Sequence, residues 1–126
     1  MAEEGQPFVV AGSGTLAMEM ATVNFLARGD KVLVINTGYF GDRYADLFSR
    51  YQVKVKQLKA DIGEAVSASL VKEALEEDSY RLLTVTQVDT STAVKADVKN
   101  IGLVAKSFDT LIVVDGVCAT AGTEFR

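Results

Sequence analysis

Short apolar runs, each too brief for a helix, recur along this chain at intervals that leave room for one helix between each pair. They are Phe8 to Ala11, Val32 to Ile35, Val53 to Leu58, Arg81 to Val88 and Leu111 to Val114. Runs of this length bounded by turn residues read as strands. Between them, apolar residues return at helical spacing. Leu16, Met20, Val23 and Ala27 do so up to a stop at Gly29-Asp30, and Tyr44, Leu47, Phe48 and Tyr51 follow the second run. Ala68 to Glu77 is rich in helix formers behind a cap at Ser67 or Ser69, and Asp97 introduces Val98, Ile101, Ala105 and Phe108. Strand and helix in strict alternation predict an α/β fold, a largely parallel sheet with helices on both faces. In the third run Val53, Val55 and Gln57 alternate with lysines, which places that strand at an edge or against solvent.

Composition narrows the chemistry. At 126 residues and 48% hydrophobic the chain suits one domain at most, with a real core. Thirteen basic against 17 acidic residues, with no Lys/Arg cluster, argue against nucleic acid as a partner. No histidine occurs and Cys118 is the single cysteine, which excludes Ser-His-Asp and Cys-His catalysis, a histidine zinc site and an internal disulfide within these residues. The acidic start MAEEGQPF does not resemble a secretion signal, and no apolar run approaches membrane-spanning length. The expectation is a soluble intracellular protein with no membrane partner.

In an open parallel sheet, ligands bind beyond the carboxyl ends of the strands. Four segments there carry unusual residues. Gly12-Ser13-Gly14-Thr15 leads into a helix, where free N–H groups, the helix dipole and two hydroxyls suit a phosphate; a capped tight turn is the plainer alternative. The same stretch also fits G-x-G-x-x-A through Gly12, Gly14 and Ala17, a dinucleotide fingerprint. The acid that such a site uses on ribose is replaced by Asn36 and Thr37. Asn36 to Arg43 sets Tyr39 and Phe40 between two glycines, where a flat ring could stack or the rings could simply enter the core. Thr84 to Thr92 gathers small hydroxyls, which bind ligands or satisfy their own turn. Asp115 ends the last apolar run, and a carboxylate there needs a partner, either local N–H groups or a protonated heterocyclic nitrogen.

Taken in order, Gly12-Ser13-Gly14-Thr15, Asn36 to Arg43, Asp89-Thr90-Ser91-Thr92 and Val114-Asp115-Gly116-Val117 resemble the successive motifs of the class V aminotransferases. The similarity is greatest to the fungal-type alanine–glyoxylate branch, through Thr-Gly-Tyr-Phe-Gly-Asp-Arg and Val-Asp-Thr-Ser-Thr-Ala-Val. The resemblance implies part of the large domain of the aspartate-aminotransferase-type fold and pyridoxal 5'-phosphate as cofactor. It assigns the phosphate to Ser13, Gly14 and Thr15, ring stacking to Phe40, a nearby hydroxyl to Thr90, the pyridine nitrogen to Asp115 and the ring's other face to Val117. It further implies small amino acids and keto acids as substrates, a homodimer, and a cytoplasmic or peroxisomal location.

The chain departs from the family where Gln87 replaces a frequent histidine and Ala93 a frequent glycine. The lysine that holds the cofactor covalently lies beyond the aspartate in the family, and Lys95, Lys99 and Lys106 precede it here. A small C-terminal domain with a substrate-binding arginine is likewise unmatched. The expectation is therefore a partial cofactor-binding domain that does not turn over alone and tends to associate through exposed edges.

Overall fold

The computed structural model describes residues 5–123. Its core is a four-stranded sheet in the order β2-β1-β3-β6, with every neighbouring pair parallel. These strands are β1 (Lys31–Asn36), β2 (Lys54–Lys59), β3 (Leu82–Thr86) and β6 (Leu111–Asp115). Four helices cover them: α1 (Gly14–Phe25), α2 (Tyr39–Arg50), α3 (Ala68–Glu77) and α4 (Val98–Ser107). Between β3 and α4 a small antiparallel pair, β4 (Val88–Asp89) and β5 (Val94–Lys95), leaves the main sheet.

Alternate residues of a strand point to opposite faces, so β1 feeds two cores at once. Val32 and Val34, with Leu82, meet Met18 of α1 and Tyr44, Leu47 and Phe48 of α2. Leu33 and Ile35, with Leu83 and Val85, meet Val71 and Leu75 of α3 and Ile101 and Ala105 of α4. The sheet thus has helices on both faces, as the alternating pattern predicts. β2, the lysine-bearing strand, lies at an edge. There Lys56 pairs with Glu77 at 2.7 Å, and nearby Lys31 pairs with Asp78 at 2.6 Å. Ser67 caps α3 by accepting from Leu70 N, and Asp97 caps α4 by accepting from Asn100 N.

Three expectations are corrected. Phe8 to Ala11 is not a strand: the run pairs with no other described strand, and its residues are exposed, Val9 completely. A strand exists only through its neighbours, which apolar content cannot supply. Leu16, Met20, Val23 and Ala27 are not the buried face of α1; Met18 and Thr22 are. Apolar residues surround this helix, so no single stripe selects the sheet-facing side, and Leu16, Val23 and Phe25 are left exposed. The run from Arg81 to Val88 is also divided at Gln87, where the chain passes from the sheet into the hairpin.

The turn of that hairpin places Ala93 at φ 58°, in the left-handed region, with its N–H donating to Asp89 O at 2.8 Å. A β-carbon there is unfavourable by about 1 kcal/mol. Ala93→Gly is expected to raise stability by about that amount in urea denaturation. A fall would show that the alanine methyl contributes more than the strain removes.

Candidate functional site

The carboxyl ends of β3 and β6, the N-terminus of α1 and the first turn of α2 enclose a cleft of about 260 Å³. From α1 come Gly14, Thr15 and Met18; from α2 comes Phe40; from β3, β4 and the following turn come Thr86, Val88 and Thr90; from β6 and beyond come Asp115, Val117 and Cys118. Segments about a hundred residues apart in sequence meet because parallel strands deliver all their ends to one side.

Each wall has a distinct chemistry. Ser13 is the N-cap of α1, its hydroxyl accepting from Leu16 N at 3.2 Å. That side chain is spent on the cap and does not line the cleft, whereas Gly14 and Thr15 do. The backbone N–H groups of Gly14 and Thr15 find no partner among the described residues. They form, with the helix dipole, a site suited to an anion.

Phe40 presents its ring from the opposite wall and meets Tyr39 edge-on, with ring centroids 5.3 Å apart. Tyr39 itself is exposed and outside the cleft.

Asp115 closes the floor. Its Oδ1 accepts from Val117 N at 3.1 Å, and Oδ2 has no partner among the described residues. Thr86, its register partner on β3, contributes a buried hydroxyl that also lacks a partner. Beside the carboxylate a recess continues to Tyr44. Burial pushes the Tyr44 phenol well above its usual range and the Asp115 charge adds to this, so Tyr44 stays neutral and offers a proton rather than a second negative charge. Thr90 Oγ1 lies 2.7 Å from Cys118 Sγ at the rim.

Six of the residues named from the motifs, Gly14, Thr15, Phe40, Thr90, Asp115 and Val117, therefore line one cleft, and Ser13 supports it from behind. Thr86 and Val88 fall inside the candidate segment Thr84 to Thr92 without having been singled out there, and Met18 and Cys118 were not anticipated as lining residues. Thr86 and Val88 could have been found by strand alternation from Thr90. Met18 could not, since the face of α1 was ambiguous. Gln87 turns away from the cleft and donates to Thr123 Oγ1 at 3.2 Å. Among the described residues no lysine lines the cleft.

The aminotransferase class-V family model matches residues 2–125. The chain belongs to the class V aminotransferases. Similar proteins include alanine–glyoxylate aminotransferase 1 of Saccharomyces cerevisiae, 45% identical over 99% of this chain and 34% of the relative. An uncharacterized aminotransferase of Methanocaldococcus jannaschii is 40% identical over 94% of this chain and 31% of its own length. Among solved structures, alanine–glyoxylate aminotransferase from Nostoc sp. superposes with a TM-score of 0.88 at 34% identity, covering 92% of this chain and 31% of that one. The chain thus spans about a third of the relatives it matches. Class V aminotransferases work with pyridoxal phosphate, and pyridoxamine–pyruvate aminotransferase from Mesorhizobium loti shares the fold with a TM-score of 0.86.

The dinucleotide alternative loses its structural context. That fingerprint needs a strand before the glycines and an acid after the second strand. Here Phe8 to Ala11 is not a strand, and Asn36 is engaged by Asp42 and Gln57 through its amide. Among the described residues no helix is long and apolar enough to cross a membrane, and no group of metal-ligating side chains occurs.

Proposed function

We propose that the cleft holds pyridoxal 5'-phosphate and that these residues are the cofactor-binding part of an aminotransferase large domain. The observation that carries this reading is that an anion-type helix N-terminus, an aromatic ring and a half-free carboxylate share one cleft. Gly14 and Thr15, with Ser13 behind them, would take the phosphate. Phe40 and Val117 would hold the two faces of the ring, with Thr90 beside it. Asp115 Oδ2 would accept the proton-bearing pyridine nitrogen and keep it protonated, and the unpaired Thr86 hydroxyl suits a polar group in the same place. When bound, the cofactor supplies an electron-accepting ring for amino-group transfer.

The protein's own contribution is orientation and charge. The hydrogen bond from Val117 N to Oδ1 favours the orientation of Asp115 in which Oδ2 would be free for the ring nitrogen, and neutral Tyr44 adds no competing charge. The yeast and Nostoc proteins that this chain resembles are alanine–glyoxylate aminotransferases, and the reaction proposed for the whole protein is accordingly alanine plus glyoxylate giving pyruvate plus glycine. A homodimer in the cytoplasm or peroxisome belongs to the same proposal and rests on the family resemblance of the motifs. Lys95 lies on β5, and Lys99 and Lys106 on α4 across the sheet; none of them lines this cleft, and all three precede Asp115 whereas the family's proton-moving lysine follows it. These 126 residues alone should therefore bind cofactor without turnover.

Titration with pyridoxamine phosphate, which needs no lysine, tests this reading, with NAD in parallel. Saturable binding of pyridoxamine phosphate and none of NAD is expected. NAD binding alone, or no pyridoxamine phosphate binding by a chain shown folded by circular dichroism, would sink it.

A further inference from the structure

We propose that Asp89 is a positioning residue for the aromatic wall of the cleft: with Ser91 it caps α2 from the distant hairpin and thereby fixes the Phe40 ring. This inference rests on the cofactor reading above.

α2 begins without a cap of its own. Its N-cap is Gly38, which has no side chain to accept from the first-turn N–H groups. Those groups are met instead by residues 49 and 52 positions away. Asp89 Oδ2 accepts from Phe40 N at 3.0 Å, and Ser91 Oγ accepts from Tyr39 N at 2.9 Å. The other carboxylate oxygen, Asp89 Oδ1, accepts from Ser91 N at 3.0 Å and Ser91 Oγ at 2.6 Å. Thr92 adds a third stitch, its hydroxyl donating to Thr37 O at 2.8 Å.

Asp89 is fully buried, and among the described residues it has no ion-pair partner. A buried carboxylate without a cation must be compensated by N–H donors and a helix N-terminus, and both are present. Gly38 permits the arrangement through space rather than through its dihedrals, since its φ of 166° is extended. A β-carbon there would stand 2.6 Å from Asp89 Cγ. The backbone atom held by Asp89 belongs to Phe40, the residue whose ring lines the cleft. The turn that carries Asp89 also carries Thr90, on another wall. One carboxylate therefore sets the distance between two walls.

A residue that only stabilised the fold would weaken binding independently of Phe40. A residue acting through Phe40 would not. Asp89→Asn keeps the shape but turns one acceptor into an NH₂ that faces N–H donors. Measured on the full chain, amide hydrogen exchange at Tyr39 and Phe40 is expected to accelerate at least about tenfold in this variant, and to a smaller degree in Ser91→Ala. Affinity for pyridoxamine phosphate is expected to fall about tenfold in Asp89→Asn, and not to fall further when Asp89→Asn is added to Phe40→Leu. Unchanged exchange at both amides in both variants would overturn the proposal, as would losses that multiply in the double variant. If the unsubstituted chain fails to bind pyridoxamine phosphate, the cofactor reading falls and the positioning role with it. Binding that is intact in the unsubstituted chain and equally tight in Asp89→Asn overturns the positioning role alone.

Discussion

Asp115→Asn is expected to weaken pyridoxamine phosphate binding by about tenfold to a hundredfold while leaving the fold in place. The magnitude follows from what is lost. A hydrogen bond between a carboxylate and a protonated ring nitrogen contributes about 1.5–3 kcal/mol, and each 1.4 kcal/mol is a factor of ten. Asparagine has the same volume, and its carbonyl oxygen can still accept from Val117 N in place of Asp115 Oδ1. What changes is the second position, where an acceptor of unit charge becomes a neutral donor. Stability should move by less than about 1 kcal/mol, because the oxygen that changes has no partner among the described residues. Calorimetric titration together with a thermal melt checks both halves. Equal affinity in a folded Asp115→Asn chain would mean that the cofactor nitrogen lies elsewhere, and the assignment of the floor of the cleft would fail.

The position of Asp115 was readable from sequence because a parallel strand announces its own carboxyl end. Leu111 to Val114 is apolar, Asp115 is not, and the change of character marks where the strand reaches solvent. The same logic placed Asn36 to Arg43 after β1 and the hydroxyls of Thr84 to Thr92 at the end of the Arg81 to Val88 run, and the family resemblance then picked out Phe40 and Thr90 within them. Ala68 to Glu77 matches the observed α3, since its helix formers follow a serine cap, which the structure assigns to Ser67 of the two candidates Ser67 and Ser69. Where pairing or packing partners decide the outcome, local sequence was insufficient. Phe8 to Ala11 has strand composition but no neighbouring strand to bond with. α1 has apolar residues on every side, so the sheet chose Met18 and Thr22. The hairpin of β4 and β5 was hidden because Ala93 adopts a left-handed turn conformation that sequence usually signals with glycine. Asp89 was named within a motif, but its capping role escaped notice for the most general reason. Its role depends on residues 38–40 and 89–92 meeting, and nothing local to either segment declares that meeting.

Phe48→Ala should produce the largest loss of stability, about 3–5 kcal/mol. Phe48 is completely buried on the α1/α2 face, where its ring meets Val32, Val34 and Leu82 of the sheet and Val53 beyond the helix. Removing it leaves a cavity among residues fixed by strand pairing, which cannot close without breaking the register between β1 and β3. Domains of this kind are stable by only about 5–15 kcal/mol, so a large fraction of the total is at stake. Leu103→Ala, on an exposed side of α4, should shift stability by less than about 0.5 kcal/mol and serves as the comparison. Urea denaturation with an unchanged slope would attribute the loss to the native core rather than to the unfolded chain. Phe48 also supports the site at one remove. Its ring lies 5.6 Å from that of Tyr44 at 31°, and Tyr44 borders the recess beside Asp115. The variant should therefore weaken pyridoxamine phosphate binding even under conditions where the chain is still folded, although Phe48 does not itself line the cleft. A loss below about 1 kcal/mol would mean that this face collapses around smaller side chains and that α2 is held mainly by the hydrogen bonds from Asp89 and Ser91 at its N-terminus.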